Sequence, residues 1–457
     1  MSSGYVVAGF EVLTTIIDNF IFSPNFNNNF TQQDLINFFE NRCNKFLHSF
    51  GCDFKGKKRY DKFIKKKISL LDYCRNSGFY GNSEFILDSG GFQLSIGILN
   101  KEESTDLQDL YYNFLNQYIN KYNRAFIFDM PPGPGCTVFK TFKDVYEGNK
   151  QSYLRASEFP QHVRDKIIYI HHFRTPKLWD IYTKILDENN LFDKFKYHGT
   201  GGIVANLSTD LAIPCIIYVL PLITLLNRTI KTKRNYLNFH VLGGAGFRDI
   251  LFYEMFRIHI KEKHNIELNI TYDSSGIFKA LMIAKFIHII KDDSVFKVNI
   301  GTMNLEKRHK NSNIQIIDLY REGINKFSDD NNFKRINLEN IYDSTTGTFY
   351  EDIRLYSMLC VLNNYSEITQ YFQNIVEELY TLYKNKQYEG FNEKIELITR
   401  RLNNEKITRK QNAKSASLIK SLDMLTDLDE EYCKYLVDKF LMKDEFTELE
   451  KKKLYTI

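Results

Sequence analysis

The feature that most constrains this chain is a recurrence: short β-branched or aromatic runs, separated by helical stretches, all but the first followed by an acidic, histidine or glycine residue. Eight such runs are read as strands: Tyr5 to Val12, Phe85 to Leu87, Ala125 to Phe128, Lys166 to Ile170, Phe195 to Tyr197, Asn238 to Leu242, Leu268 to Tyr272 and Phe296 to Ile300. Strands alternating with helices imply βα units and a parallel sheet, and eight of them imply a (β/α)₈ TIM barrel. Asp88, Asp129, His171, Gly199 to Gly202, Gly243-Gly244, Asp273 and Gly301 then all fall at or just past strand C-terminal ends. In a barrel those positions converge on the face that carries the active site. An open doubly wound sheet is the alternative, and its ligands also sit at strand ends.

The connectors read as helices. Thr31 with Asp34 resembles an N-terminal cap, and Leu35, Phe38, Phe39, Phe46 and Leu47 keep helical spacing, as an inserted or crossover helix would. Beyond about residue 325 the strand signal fades. Ile368, Tyr371, Phe372, Ile375, Val376, Leu379 and Tyr383 form a helical stripe, and a second helical region runs from Lys406 to Leu441. The expected organisation is a barrel over residues 1–325, with insertions, and a helical C-terminal domain over 326–457 that offers a second surface for nucleic acid.

Composition limits the alternatives. With 457 residues and 43% hydrophobic content the chain can fill a large core, which excludes a disordered class. Its net charge of +5 is too mild to identify a polyanionic partner, so local clustering must do so. The seven cysteines are scattered, with no Cys-x-x-Cys pair, which fits a reducing, cytoplasmic setting. No secretion signal is read at Met1-Ser2-Ser3-Gly4. The longest uncharged run, Leu211 to Leu226, is shorter than the ~20 residues of a membrane span and is read as a buried helix.

Chemistry concentrates in Phe85-Ile86-Leu87-Asp88-Ser89-Gly90-Gly91-Phe92-Gln93, where an apolar strand ends in a carboxylate and two glycines let backbone close around it. That suits an acid/base at a pocket mouth. Asp273 ends Asn269-Ile270-Thr271-Tyr272 and precedes Ser274-Ser275-Gly276, small residues able to keep a carboxylate ionised. Asp129 ends Ala125-Phe126-Ile127-Phe128 and precedes Met130-Pro131-Pro132-Gly133. Each aspartate alone also suits a cap or turn; together, in one strand framework, they suit catalysis.

The run Asp88-Ser89-Gly90-Gly91-Phe92-Gln93 closely resembles the signature of the tRNA-guanine transglycosylase superfamily, whose members exchange a guanine in nucleic acid for a 7-deazaguanine base. The resemblance implies a TIM barrel and no cofactor. It implies roles as well: Asp273 as nucleophile holding the sugar covalently, Asp88 as acid/base, and Asp129 with Ser89 at the guanine-like ring. His171 stands where the family commonly has a glutamine that contacts the base, with His172 beside it as the alternative contact. His198-Gly199-Thr200-Gly201-Gly202 is similar to the loop whose backbone, at Gly201 and Gly202, meets the base edge. In Val241-Leu242-Gly243-Gly244, Gly243 replaces the bulky residue that usually covers the ring, which leaves Phe92 as the expected stacking platform. The family's Pro-Thr-Arg run after the nucleophile is replaced by Ser274-Ser275-Gly276.

Typical tRNA-acting members carry a structural zinc held by three closely spaced cysteines and a histidine after the last strand. Here only Cys360 and Cys433 follow the barrel, so no metal is expected. Intact chemistry without the zinc segment resembles the DNA 7-deazaguanine transglycosylases (DpdA-type) of bacteria and phages. DNA is therefore the expected partner, with tRNA or a noncatalytic nucleic-acid-binding subunit as alternatives, and 7-cyano-7-deazaguanine is a candidate incoming base. The densest basic cluster, with Lys57, Lys58, Arg59, Lys65, Lys66 and Lys67 interleaved with Tyr60 and Phe63, is expected to grip phosphates.

Overall fold

The computed structural model describes residues 4–8, 36–37, 39–40, 44–51, 54, 60–76, 83–91, 94, 97–132, 136–172, 176–201, 214–273, 287–291, 294–298, 342–343, 348–349, 353–403 and 412–441. Eight parallel strands close into a barrel in chain order: β1 (Tyr5–Ala8), β2 (Lys45–Ser49), β3 (Glu84–Asp88), β4 (Arg124–Phe126), β5 (Ile167–His172), β6 (Tyr197–Gly201), β7 (Tyr236–Val241) and β8 (Glu267–Asp273). Closure is made where Tyr5 and Val6 of β1 pair with Tyr272 and Asp273 of β8. The TIM-barrel expectation holds, and the open-sheet alternative is excluded.

Two strand assignments differ from the sequence reading. Phe46 and Leu47 belong to β2, not to a helix; Phe46, Leu47 and His48 are all buried, so β2 lacks the alternation that announces a strand. The run around Phe296 is a strand, β10 (Ser294–Val298), but it pairs antiparallel with β9 (Ile287–Lys291) in a separate two-stranded sheet.

Successive residues of a strand face opposite ways, so each barrel strand gives one set to the interior and the other to the surrounding helices. At the N-terminal pole the interior is polar: the Arg124 guanidinium lies over the Tyr197 ring at 4.5 Å and approaches Glu84 at 3.7 Å, while the Asn269 amide donates to Asn238 Oδ1 at 3.0 Å. Outside, α1 (Tyr60–Asn76), α2 (Lys101–Tyr118), α3 (Phe142–Ser157), α4 (Pro176–Glu188), α5 (Pro214–Lys231) and α6 (Phe247–His264) cover the sheet. Helices α2 and α3 start at capping boxes, Asn100 with Glu103 and Thr141 with Asp144. The uncharged run falls largely in α5, whose residues from Tyr218 to Leu226 are buried. Among the described residues no helix is long and apolar enough to cross a membrane.

The C-terminal helices α7 (Ile353–Lys384), α8 (Tyr388–Asn403), α9 (Asn412–Asp427) and α10 (Glu430–Leu441) pack on the barrel at α5 and α6. Ile368, Phe372, Val376 and Leu379, the predicted stripe, are buried in a core continuous with the barrel's. His259 of α6 sits in that seam, with Nδ1 3.2 Å from the Tyr380 hydroxyl and Nε2 3.0 Å from Thr426 Oγ1.

Burial lowers the pKa of His48, His198 and His259 to about 3 and that of His171 well below its ordinary value, so all four are folded as neutral rings. A histidine whose folded pKa is depressed stabilises the fold above its unfolded value near 6.5, and that stability is lost as pH falls below it. Each such ring withdraws ~1.4 kcal/mol per pH unit below 6.5. Urea unfolding at pH 7 and pH 5 should therefore show a marked loss at pH 5, made shallower by His259→Gln; equal stability at both values would contradict neutral burial of these rings.

Candidate active site

The three aspartates meet at one end of the barrel because β3, β4 and β8 point the same way and each delivers its carboxylate at or just past its last residue. Asp129 and Asp273 are each only 6% exposed, and Asp88 is partly buried. Three carboxylates in such a space cannot all be ionised without cost. Burial first, and then the nearby Asp129, raise the Asp88 pKa to about 7; bonds from Ser49 and the Gly90 backbone pull it down, and Asp273 adds to the rise. Asp88 thus keeps a proton up to near neutral pH.

Each carboxylate has its own partners. Ser49, which ends β2 in register with Asp88, donates to Asp88 Oδ2 at 2.9 Å. Ser89 donates to Asp129 Oδ1 at 2.7 Å, and His172 Nε2 bonds the other oxygen, Asp129 Oδ2. The Gly243 backbone N–H donates to Asp273 Oδ1 at 2.8 Å, and His240 Nε2 lies 3.4 Å from the same oxygen.

The glycines of the Asp88 segment have separate reasons. Gly90 has φ of 89°, which a side chain would strain. A Cβ on Gly91 would come within 2.7 Å of the Asp129 carbonyl oxygen and 3.1 Å of its carboxylate, so only glycine lets the two segments approach. The backbone beyond Asp129 is fixed by α3: Asn149 accepts from the Met130 N–H at 2.9 Å and donates to the Met130 carbonyl at 3.0 Å.

The predicted site residues divide. Asp88, Ser89, Asp129, Gly201, Gly243 and Asp273 are brought together at the mouth. Gly243 does so by anchoring Asp273. Gly201 pairs in register with His172, and a Cβ there would meet the His172 ring at 2.8 Å. His171 requires a correction: it faces the helical layer, its ring 4.5 Å from that of Trp179 in α4, because strand alternation turns its neighbour His172 to the mouth instead. At the mouth His172 bonds Asp129.

Lys67 is a second correction. It is 1% exposed and donates to the Ser49 carbonyl at 2.6 Å, so it supports the Asp88 side of the mouth and cannot reach a phosphate. Lys65 and Lys66, on the same turn of α1, are exposed. Phe92, Gly202, Lys57, Lys58 and Arg59 lie outside the described residues.

Sequence reasoning missed Ser49 and His240. Strand parity carries the signal for His240, since it pairs with Thr271, which shares a face with Asp273. The chain matches no protein-family model, no curated protein and no solved structure.

The raised Asp88 pKa has a defined consequence for stability. A carboxyl whose folded pKa exceeds its unfolded value stabilises the fold below that unfolded value, near 3.8, and this is lost as pH rises to about 7. Asp88→Asn should then unfold at higher urea than wild type at pH 8, by ~1 to ~4 kcal/mol, with little difference at pH 4. A variant less stable than wild type at pH 8 would show that the carboxylate is accommodated without strain.

Proposed function

We propose that the chain is a guanine transglycosylase that exchanges guanine in DNA for a 7-deazaguanine base through a covalent aspartyl-glycosyl intermediate. The observation that carries this reading is the division of labour at the mouth. One carboxyl, Asp88, holds a proton to about pH 7, while Asp273 is anchored by a backbone N–H and Asp129 by Ser89 and His172. An acid and a separate carboxylate nucleophile are what retention at an anomeric carbon requires.

In the first step an Asp273 oxygen attacks C1′ of the target nucleotide as the C1′–N9 bond breaks. Asp88 gives its proton to the departing guanine and is left as a carboxylate. In the second step that carboxylate takes the N9 proton of the incoming base, N9 attacks C1′, and the C1′–O bond to Asp273 breaks with its electron pair returning to the carboxylate. Asp88 is protonated again, and the cycle closes. A pKa near 7 suits a group that must both give and take a proton at neutral pH.

Asp129 suits the donor edge of a guanine-like ring, because a carboxylate can accept from the ring N–H and the amino group together. Ser89 and His172 each use one of its oxygens and hold its plane, and each oxygen retains acceptor capacity. A base stacked in a duplex is out of reach of such a mouth, so the target must be flipped out or unpaired. Lys65 and Lys66 offer positive charge on the helix whose Lys67 touches β2. DNA is favoured over tRNA because the cysteines after the barrel, Cys360 and Cys433, cannot make the clustered zinc site of tRNA-acting members.

The test is incorporation of radiolabelled guanine and labelled 7-cyano-7-deazaguanine by the purified protein into DNA and tRNA side by side. Label should enter DNA, Asp273→Asn should abolish it, and Asp88→Asn should slow it by ~10²- to ~10⁴-fold. Label in tRNA alone would move the protein to the tRNA branch. Label in neither, with tight DNA binding, would favour a noncatalytic subunit.

A further inference from the structure

Among the described residues, Asp273 is held on one side only. Its Oδ1 accepts the Gly243 N–H at 2.8 Å and faces His240 Nε2 at 3.4 Å, whereas among the described residues no hydrogen bond reaches Oδ2. The ring of His240 is 2% exposed and packs against Phe126 with centroids 4.9 Å apart, so it cannot swing away. Its other nitrogen, Nδ1, lies 2.9 Å from Thr271 Oγ1. With the Thr271 hydroxyl donating to Nδ1, the ring presents its Nε2–H to the carboxylate.

We propose that His240 is a positioning residue for the nucleophile, which leaves Asp273 Oδ2 as the attacking oxygen and speeds release of the sugar from the covalent intermediate. This rests on the covalent reading above. When Oδ2 bonds to C1′, Oδ1 becomes an ester carbonyl and its negative charge falls. When the incoming base attacks C1′ and the C1′–Oδ2 bond breaks, the electron pair returns to the carboxylate and charge reappears on Oδ1. Donors fixed at Oδ1 stabilise that charge more than they stabilise the ester, so they favour departure of the carboxylate. At 3.4 Å the His240 contact is longer than an ordinary N–H···O hydrogen bond; such contacts shorten as charge develops. Loss of His240 should therefore hinder the second step more than the first, and covalent protein–polymer adduct should accumulate.

The experiment uses the full chain, a guanine-containing labelled DNA oligonucleotide (tRNA if that is the polymer exchanged) and 7-cyano-7-deazaguanine, with denaturing quench to measure adduct during turnover. His240→Phe keeps the ring and loses both nitrogens. It should lower kcat by about tenfold to a hundredfold, the range one charge-assisted hydrogen bond controls, and raise the adduct fraction severalfold. His240→Gln, which restores a donor, should return both toward wild type. Thr271→Val removes the group that fixes the ring proton without touching Asp273, and should move both in the same direction as His240→Phe; it serves as the reporter if the phenylalanine variant does not fold. A kcat loss with no rise in adduct, or wild-type values for folded variants, would overturn the assignment. Wild-type exchange by Asp273→Asn would remove the covalent reading itself, and this proposal with it.

Discussion

Three carboxylates confined to one barrel mouth are the constraint around which the rest of the structure is arranged. Like charges brought together in a largely dry space repel, and burial alone already disfavours ionisation. The fold distributes the response unequally. Asp129 receives a hydroxyl and an imidazole, Asp273 receives a backbone N–H with a second imidazole behind it, and Asp88 receives Ser49, the Gly90 backbone N–H and a raised pKa. Three chemically identical side chains are thus held in three different settings.

That arrangement reaches into the scaffold. Ser49 can meet Asp88 because β2 lies beside β3 in register, and Lys67 bonds the Ser49 carbonyl from α1. Asn149 of α3 holds both backbone groups of Met130, and Tyr153 of the same helix donates to the Ile170 carbonyl on β5 at 2.7 Å. The helices that cover the barrel thus set the height at which the strand ends present their carboxylates. A site supported in this way needs little rearrangement as charge develops, which is how preorganised polar groups lower a barrier.

The barrel was legible in the sequence because six of its strands, β3 to β8, end in or run into residues that break the apolar run, and the C-terminal stripe around Phe372 was legible from its helical period. β2 was not, since Lys45-Phe46-Leu47-His48 is buried on both faces and follows an aromatic run of helical spacing. Phe296 carried strand propensity without any sign of which partner it would pair with. At the site, Asp88, Asp129 and Asp273 were visible as strand-end carboxylates. The choice between His171 and His172 depends on strand parity, which a one-residue shift inverts. His240 lay inside a strand, where only its register with Thr271 reveals that it looks toward Asp273.

The central claim is that the mouth keeps Asp88 protonated near neutral pH through burial and the neighbouring carboxylates. Carboxyl titration by ¹³C NMR, with the Asp88 signal assigned by its loss in Asp88→Asn, tests this directly. The wild-type protein should show a midpoint of about 7, moving down in Asp129→Asn. A midpoint in the ordinary carboxylate range, unchanged by that substitution, would contradict it.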